Sequence, residues 1–179
     1  TNPIQLRTGN PALDQSFTNQ FRLRFRSNNP ESDKNWFLFA QSRFVDNFIS
    51  NSVLIAEEPT EIQDGIILER GSQLNRPVNL DGFQDFRSWF SYGMPMGFIK
   101  SNFNINAGLG YTQRPGQINE RIGFNNSTRL STGFSLNSSI SDQVDFNIWS
   151  RSSFNQVNNT LNPNLSNDFF QQRFRVNFN

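Results

Sequence analysis

A chain of 179 residues is long enough for one sizeable domain, yet only 35% of it is hydrophobic, its formal charge is +1 and its mean hydropathy is −0.61. No run approaches the ~20 apolar residues of a helical membrane span, and the near-neutral balance gives no electrostatic argument for nucleic acid. Cysteine and histidine are both absent, which excludes disulfides, thiol chemistry, the commonest transition-metal sites and every scheme with imidazole as base.

In chain order, Thr1-Asn2-Pro3 carries no charged or apolar leader pattern, so any secretory signal is expected to have been removed or to lie upstream. Gly9-Asn10-Pro11 punctuates an irregular opening. Phe17, Asn19, Phe21, Leu23 and Phe25 then alternate with Thr18, Gln20, Arg22, Arg24 and Arg26, which predicts a strand with an aromatic and a cationic face. Turn formers crowd Ser27 to Asp33. A second strand is expected from Trp36 to Ile49, with Trp36, Leu38, Ala40, Ser42 and Phe44 on the aromatic side and Gln41 and Arg43 opposite, while Phe37 and Phe39 make both faces apolar near its start.

Between Asn51 and Arg76 the alternation dissolves into Glu57-Glu58-Pro59-Thr60-Glu61, Asp64-Gly65 and a short apolar run, read as a long loop able to carry a hairpin at Asp64-Gly65. Its carboxylates match no defined calcium loop and are read as solvated. A third strand from Val78 to Met94 sets Phe86, Ser88, Phe90, Tyr92 and Met94 against Asp85, Arg87, Trp89, Ser91 and Gly93, and Pro95-Met96-Gly97-Phe98 turns the chain. From Lys100 to Gln113, Phe103, Ile105, Ala107, Leu109 and Tyr111 alternate without a slip against Asn102, Asn104, Asn106, Gly108, Gly110 and Thr112.

After a loop from Arg114 to Gly123, Phe124, Thr128, Leu130, Thr132, Phe134 and Leu136 alternate with Asn125, Ser127, Arg129, Ser131, Gly133 and Ser135. Ser139-Ile140-Ser141-Asp142 predicts a short turn. Val144, Phe146, Ile148 and Phe154 then oppose Asp145, Asn147, Arg151 and Ser153, with Trp149 on the polar side. A loop over 156–167 leads to a last strand, with Phe170, Phe174, Val176 and Phe178 against Gln171, Arg173, Arg175 and Asn177.

The expected fold is all-β: an antiparallel meander of about seven long amphipathic strands, part of a transmembrane outer-membrane β-barrel. Residues 1–179 form one barrel segment with no plug domain, unable to close alone because open edges in lipid leave backbone groups unsatisfied. Short turns near 27–35, 95–98 and 138–142 alternate with long loops near 50–76, 114–123 and 156–167, the asymmetry of barrels with short periplasmic turns and long extracellular loops. Arginines and aspartates fall almost entirely on the non-aromatic face, and an Arg or Lys facing mid-bilayer costs about 2–4 kcal/mol. The runs also exceed the ~5–6 residues of soluble strands. A soluble sandwich with one buried and one charged face is the competing architecture.

Candidate lumen-facing binding residues are Arg22, Arg24, Arg43, Arg87, Arg129, Arg151, Arg173, Trp89 and Trp149. The guanidiniums suit an anion or sugar-acid path and the indoles suit stacking on carbohydrate. The same side chains can instead pair with carboxylates of a plug or neighbouring strand and fill space. No catalytic residue set, metal site or cofactor is expected.

Leu6-Arg7-Thr8-Gly9-Asn10-Pro11-Ala12-Leu13 resembles the Gly-Asn-Pro-x-Leu segment that precedes a barrel strand in TonB-dependent outer-membrane receptors, particularly of the Bacteroidota type. Arg76-Pro77-Val78-Asn79-Leu80-Asp81-Gly82, Met94-Pro95 with Lys100-Ser101-Asn102, and Leu136-Asn137-Ser138-Ser139-Ile140-Ser141 extend the resemblance over most of the chain. It implies a barrel of about 22 strands around an N-terminal plug, energised by TonB, that imports a nutrient across the Gram-negative outer membrane. The implied partners are outer-membrane lipids, the plug or remaining barrel strands, TonB and a surface lipoprotein, with no nucleic acid. A scaffold barrel subunit of an outer-membrane protein complex and a secreted soluble β-sandwich adhesin are the other functional classes the sequence allows.

Overall fold

Alternating residues become paired strands throughout the chain. The computed structural model describes residues 5–63, 65–141 and 144–178. They form β1 (Gln5–Arg7), β2 (Phe17–Asn29), β3 (Lys34–Asp46), β4 (Phe48–Ile55), β5 (Thr60–Gln63), β6 (Ile66–Leu68), β7 (Gln73–Leu80), β8 (Phe83–Met96), β9 (Ser101–Ile118), β10 (Arg121–Ser141), β11 (Val144–Asn159) and β12 (Asn167–Phe178). The long strands β2, β3, β8, β9, β10, β11 and β12 pair antiparallel in that order. That is the expected meander. Among the described residues the sheet does not close on itself, since there β2 pairs only with β3 and β12 only with β11.

Among the described residues twelve strands replace the expected seven, because the opening and the 51–76 stretch are themselves partly β structure. Asn47 (φ 52°) ends β3, and Gly82 (φ 95°) separates β7 from β8, so neither the Trp36–Ile49 nor the Val78–Met94 strand runs unbroken. Between those breaks the chain makes an excursion: β4 and β7 pair antiparallel, β1 joins β7 in parallel, and β4 lies parallel to the far end of β9 through Ser52↔Gln117 and Val53↔Ile118. It takes the place beside β9 that β8 leaves vacant above its last pair, Gln84↔Gln113. A β5–β6 hairpin forms near the expected position, although Asp64 lies outside the described residues, as do Thr1, Asn2, Pro3 and Asp142.

The expected 114–123 loop is a second correction, because β9 and β10 stay paired as far as Ile118↔Arg121. Asn119 and Glu120, with φ of 45° and 64°, make the left-handed two-residue turn whose twist suits a hairpin. Pro115 is tolerated because its missing N–H falls on the side away from β10. At the other end of the sheet, β8 runs on to Met96, and a 3-10 turn at Gly97–Ile99 with Lys100 in the left-handed region (φ 46°) makes the connection. The loop before β12 shortens to residues 160–166, with a 3-10 turn at Pro163–Leu165.

The sheet is a single layer, with its main contacts made between paired strands. Among the described residues the buried apolar side chains are Val45, Ala56, Leu68, Leu80, Phe83 and Pro115, all in or beside the excursion. Phe48 stacks on Phe83 at 4.4 Å between ring centroids. Asn47 N–H donates to Asp81 Oδ1 at 3.0 Å, and Asn79 Nδ2 donates to Asn47 O at 2.9 Å. The small core is therefore the joint where the excursion meets the wall.

Register arranges the aromatic face as a slanted band. Its upper limit steps down two residues at a time from Phe17 to Phe44, then to the Phe86–Tyr111 pair, then to the row of Leu130, Phe154 and Phe170. Its lower limit steps in parallel from Phe25 to Trp36, to the Phe103–Leu136 pair, to Phe146–Phe178. A descent of six residues at ~3.4 Å across six strand spacings of ~4.8 Å is a slant of about 35°.

Asn119 fastens the β9–β10 tip to the excursion: its Oδ1 accepts Ile55 N–H at 2.7 Å and its N–H donates to Val53 O at 3.0 Å. Asn119→Ala removes the acceptor and places a poorly suited residue at positive φ, an expected loss of about 1–2 kcal/mol. Hydrogen exchange at the Ile55 amide should accelerate, and unchanged exchange there would show that β4 is held some other way.

Candidate functional site: a basic basin on the polar face

Alternation places one residue in two of each long strand on the polar face, and three of those residues on β9 and β10 are Gly108, Gly110 and Gly133. A glycine on a sheet face leaves a gap that neighbours can enter. Asn106 fills the space over Gly133, whereas around Gly108 and Gly110 the side chains of Arg87, Trp89, Thr112, Ser127, Arg129, Ser131 and Arg151 line a basin of about 440 Å³. Small-molecule sites typically occupy about 300–1,000 Å³.

Each side chain in the basin has an identifiable orienting contact or a conspicuous lack of one. Asp85, on the same face two residues before Arg87, is 3% exposed. Its Oδ2 accepts from the Thr112 hydroxyl at 2.9 Å and from Arg87 at 3.1 Å. The Arg87 side chain is 64% exposed and the Asp85 side chain only 2%, so a buried carboxylate aims an exposed guanidinium into the basin. Arg151 lies over the Trp89 ring at 5.6 Å from its centroid. Trp89 in turn lies against Gly108, where an added Cβ would be 2.9 Å from the indole and 2.8 Å from Ser131 Oγ. Arg129 forms no ion pair with any described residue.

All nine candidate residues from the sequence stand on the polar face, but only Arg87, Trp89, Arg129 and Arg151 come together in the basin. Arg173 is directly opposite Arg151 on edge strand β12. Arg22 and Arg24 lie on the other edge strand, where Arg22 donates to Gln20 Oε1 at 3.2 Å. Arg43 packs over Phe83 at 5.0 Å beside Asp85. Trp149 sits nearer the short-turn end, between Ser135 and Arg175. Sequence reasoning did not single out Asp85 and Thr112 as the groups that aim Arg87, although the Asp85-x-Arg87 spacing already put both on one face.

A hollow of similar size, about 400 Å³, lies on the aromatic face among Leu38, Phe90, Leu109, Leu130, Phe154 and Phe170. It has no charged lining group, so it offers shape without directional chemistry. Comparison of the chain with protein-family models, curated proteins and solved structures returned no match.

Gly108→Val should expel Trp89 from its seat at an overpacking cost of about 1–3 kcal/mol. The expected readout is a change in indole fluorescence that is lost when Trp89 is also replaced by Phe, with the β-sheet circular-dichroism signal retained. An unchanged spectrum would mean that the indole does not rest on the glycine.

Proposed function

We propose that the chain is part of the wall of an outer-membrane β-barrel of the TonB-dependent receptor kind, which imports a nutrient across the outer membrane. The observation that carries this reading is the slanted aromatic band. When strands tilt by the angle of the slant, a band at about 35° becomes a level belt, and outer-membrane barrel strands tilt by about 35–45°. On β9 the band runs from Tyr111 to Phe103, eight residues, ~27 Å along the strand and about 22 Å along the membrane normal at a 35° tilt, close to the ~25 Å height of a barrel's apolar belt.

Two further observations support the same reading. The aromatic face is uncovered, with Phe21 66%, Phe174 64% and Phe178 74% exposed, whereas soluble monomers rarely expose apolar patches beyond a few hundred Å². Both edge strands also leave backbone groups unpaired, which suits a wall continued by further strands. The orientation in this reading rests on how far each end projects past the band: the excursion, the β9–β10 hairpin, which runs seven residues beyond Tyr111, and the 160–166 loop mark the extracellular end, and the turns at 30–33 and 97–100 the periplasmic end. Outer-membrane lipids, a plug, TonB and a surface lipoprotein are the partners in this reading.

Two experiments on the full-length protein test it. Leu109→Arg puts a guanidinium on the lipid side at an expected cost of about 2–4 kcal/mol near the midplane and should sharply reduce folded, membrane-extracted protein. Asn102→Arg on the polar face should be tolerated, and equal tolerance of the two would reverse the faces or the solvent. The chain has no cysteine, so Glu58→Cys and Asn162→Cys should react with an impermeant maleimide on intact cells. Glu31→Cys should react only after the outer membrane is opened; labelling of all three on intact cells would sink the spanning reading.

A further inference from the structure

Three neighbouring rows of the polar wall converge on one kind of ligand. Arg87, Gly110 and Arg129 stand directly opposite one another on adjacent strands, so the two arginine backbones are about 10 Å apart across a residue with no side chain. A Cβ at Gly110 would meet nothing nearer than Arg129 Cβ, at 3.8 Å. The space between the guanidiniums is open. One row away, Trp89 lies on Gly108 with Arg151 over its ring. Among the described residues three guanidiniums line the basin and no carboxylate does; Arg87 alone is paired, with Asp85, which also accepts from Thr112, so Arg129 and Arg151 leave a local surplus of two positive charges.

We propose that this basin binds an acidic sugar, a pyranose bearing a carboxylate or sulfate, with its oxyanion between Arg87 and Arg129 above Gly110 and its ring against the part of the half-buried Trp89 indole that Gly108 and Arg151 leave uncovered. The inference rests on the barrel reading for the route by which solute reaches the wall, and adds the class of that solute. A guanidinium presents forked donors that match two oxygens of a carboxylate or sulfate. The C–H face of a sugar ring packs on an indole, while Thr112, Ser127 and Ser131 supply hydroxyl partners for the ring oxygens. A bare inorganic anion would use the arginines and leave Trp89 idle. A neutral sugar would use Trp89 and leave Arg129 without a counter-charge.

The test is calorimetric titration of the detergent-purified full-length protein with tetragalacturonate, a chondroitin sulfate tetrasaccharide, maltotetraose, inorganic sulfate and a short single-stranded DNA. At least one acidic tetrasaccharide should bind, more weakly as salt rises, and the two acidic probes separate carboxylate from sulfate recognition. Arg129→Gln and Trp89→Ala should each weaken that binding by about tenfold or more. Arg175→Gln, on the same face but outside the basin, should leave it unchanged. The proposal is overturned if neither acidic sugar binds, or if maltotetraose, sulfate or the DNA binds as tightly as the acidic sugar. It is equally overturned if Arg129→Gln or Trp89→Ala has no effect. Titration needs neither lipid nor an energy source, and cysteine labelling needs no solute, so failure of the site and failure of the barrel reading give different results.

Discussion

Backbone pairing between neighbouring strands is the constraint on which everything else in this structure depends. A single-layer sheet has no opposing layer to bury a face, so each long strand is held by the hydrogen bonds of the strands beside it and by whatever medium meets its two sides. Register then matters more than in a layered fold. A slip of one residue would move every side chain to the opposite face. On β2 that slip would exchange Phe21, Leu23 and Phe25 for Arg22, Arg24 and Arg26, and the mismatch would repeat on every strand that carries an arginine.

The same alternation sorts charge in a way that the total conceals. Arg22, Arg24, Arg26, Arg43, Arg87, Arg114, Arg129, Arg151, Arg173 and Arg175 share the polar face, where Asp85 and Asp145 are the carboxylates among the described residues of the long strands. The other acidic residues belong mainly to turns, the excursion and strand ends, such as Glu31, Asp33, Glu57, Glu58, Glu61 and Glu120. A formal charge of +1 is thus the sum of a basic wall and acidic rims. The basin is the part of that wall where absent side chains let the cations converge.

How much of this was legible depended on the length of each alternating run. β9 could be read directly, because five apolar and six polar residues alternate there without interruption, and the faces assigned to the other long strands agree with the observed registers. The excursion was not legible: β4 and β7 are eight residues each, Pro77 interrupts one, and neither has a full alternating face. The β9–β10 turn was masked by Glu120 where a glycine would have signalled a hairpin, and Pro115-Gly116 suggested a loop in its place. Each basin arginine could be assigned to its face, but their convergence and the slant of the aromatic band depend on register between strands, which alternation within a strand does not carry.

The excursion also bears on how such a sheet can assemble. Most joins in the meander link strands adjacent in sequence, so they zip as hairpins, whereas β3 and β8 must meet across the intervening residues 46–82. Closing so long a loop is not prohibitive, since each doubling of loop length adds only ~0.6 kcal/mol. It is nevertheless a slow non-local step in a fold otherwise dominated by local contacts. Because β4 and β7 pair from Phe48↔Leu80 to Ile55↔Gln73, the excursion brings its own ends together and delivers Val45 beside Phe83. The segment that interrupts the meander thus shortens its longest search, and the wall can grow one strand at a time.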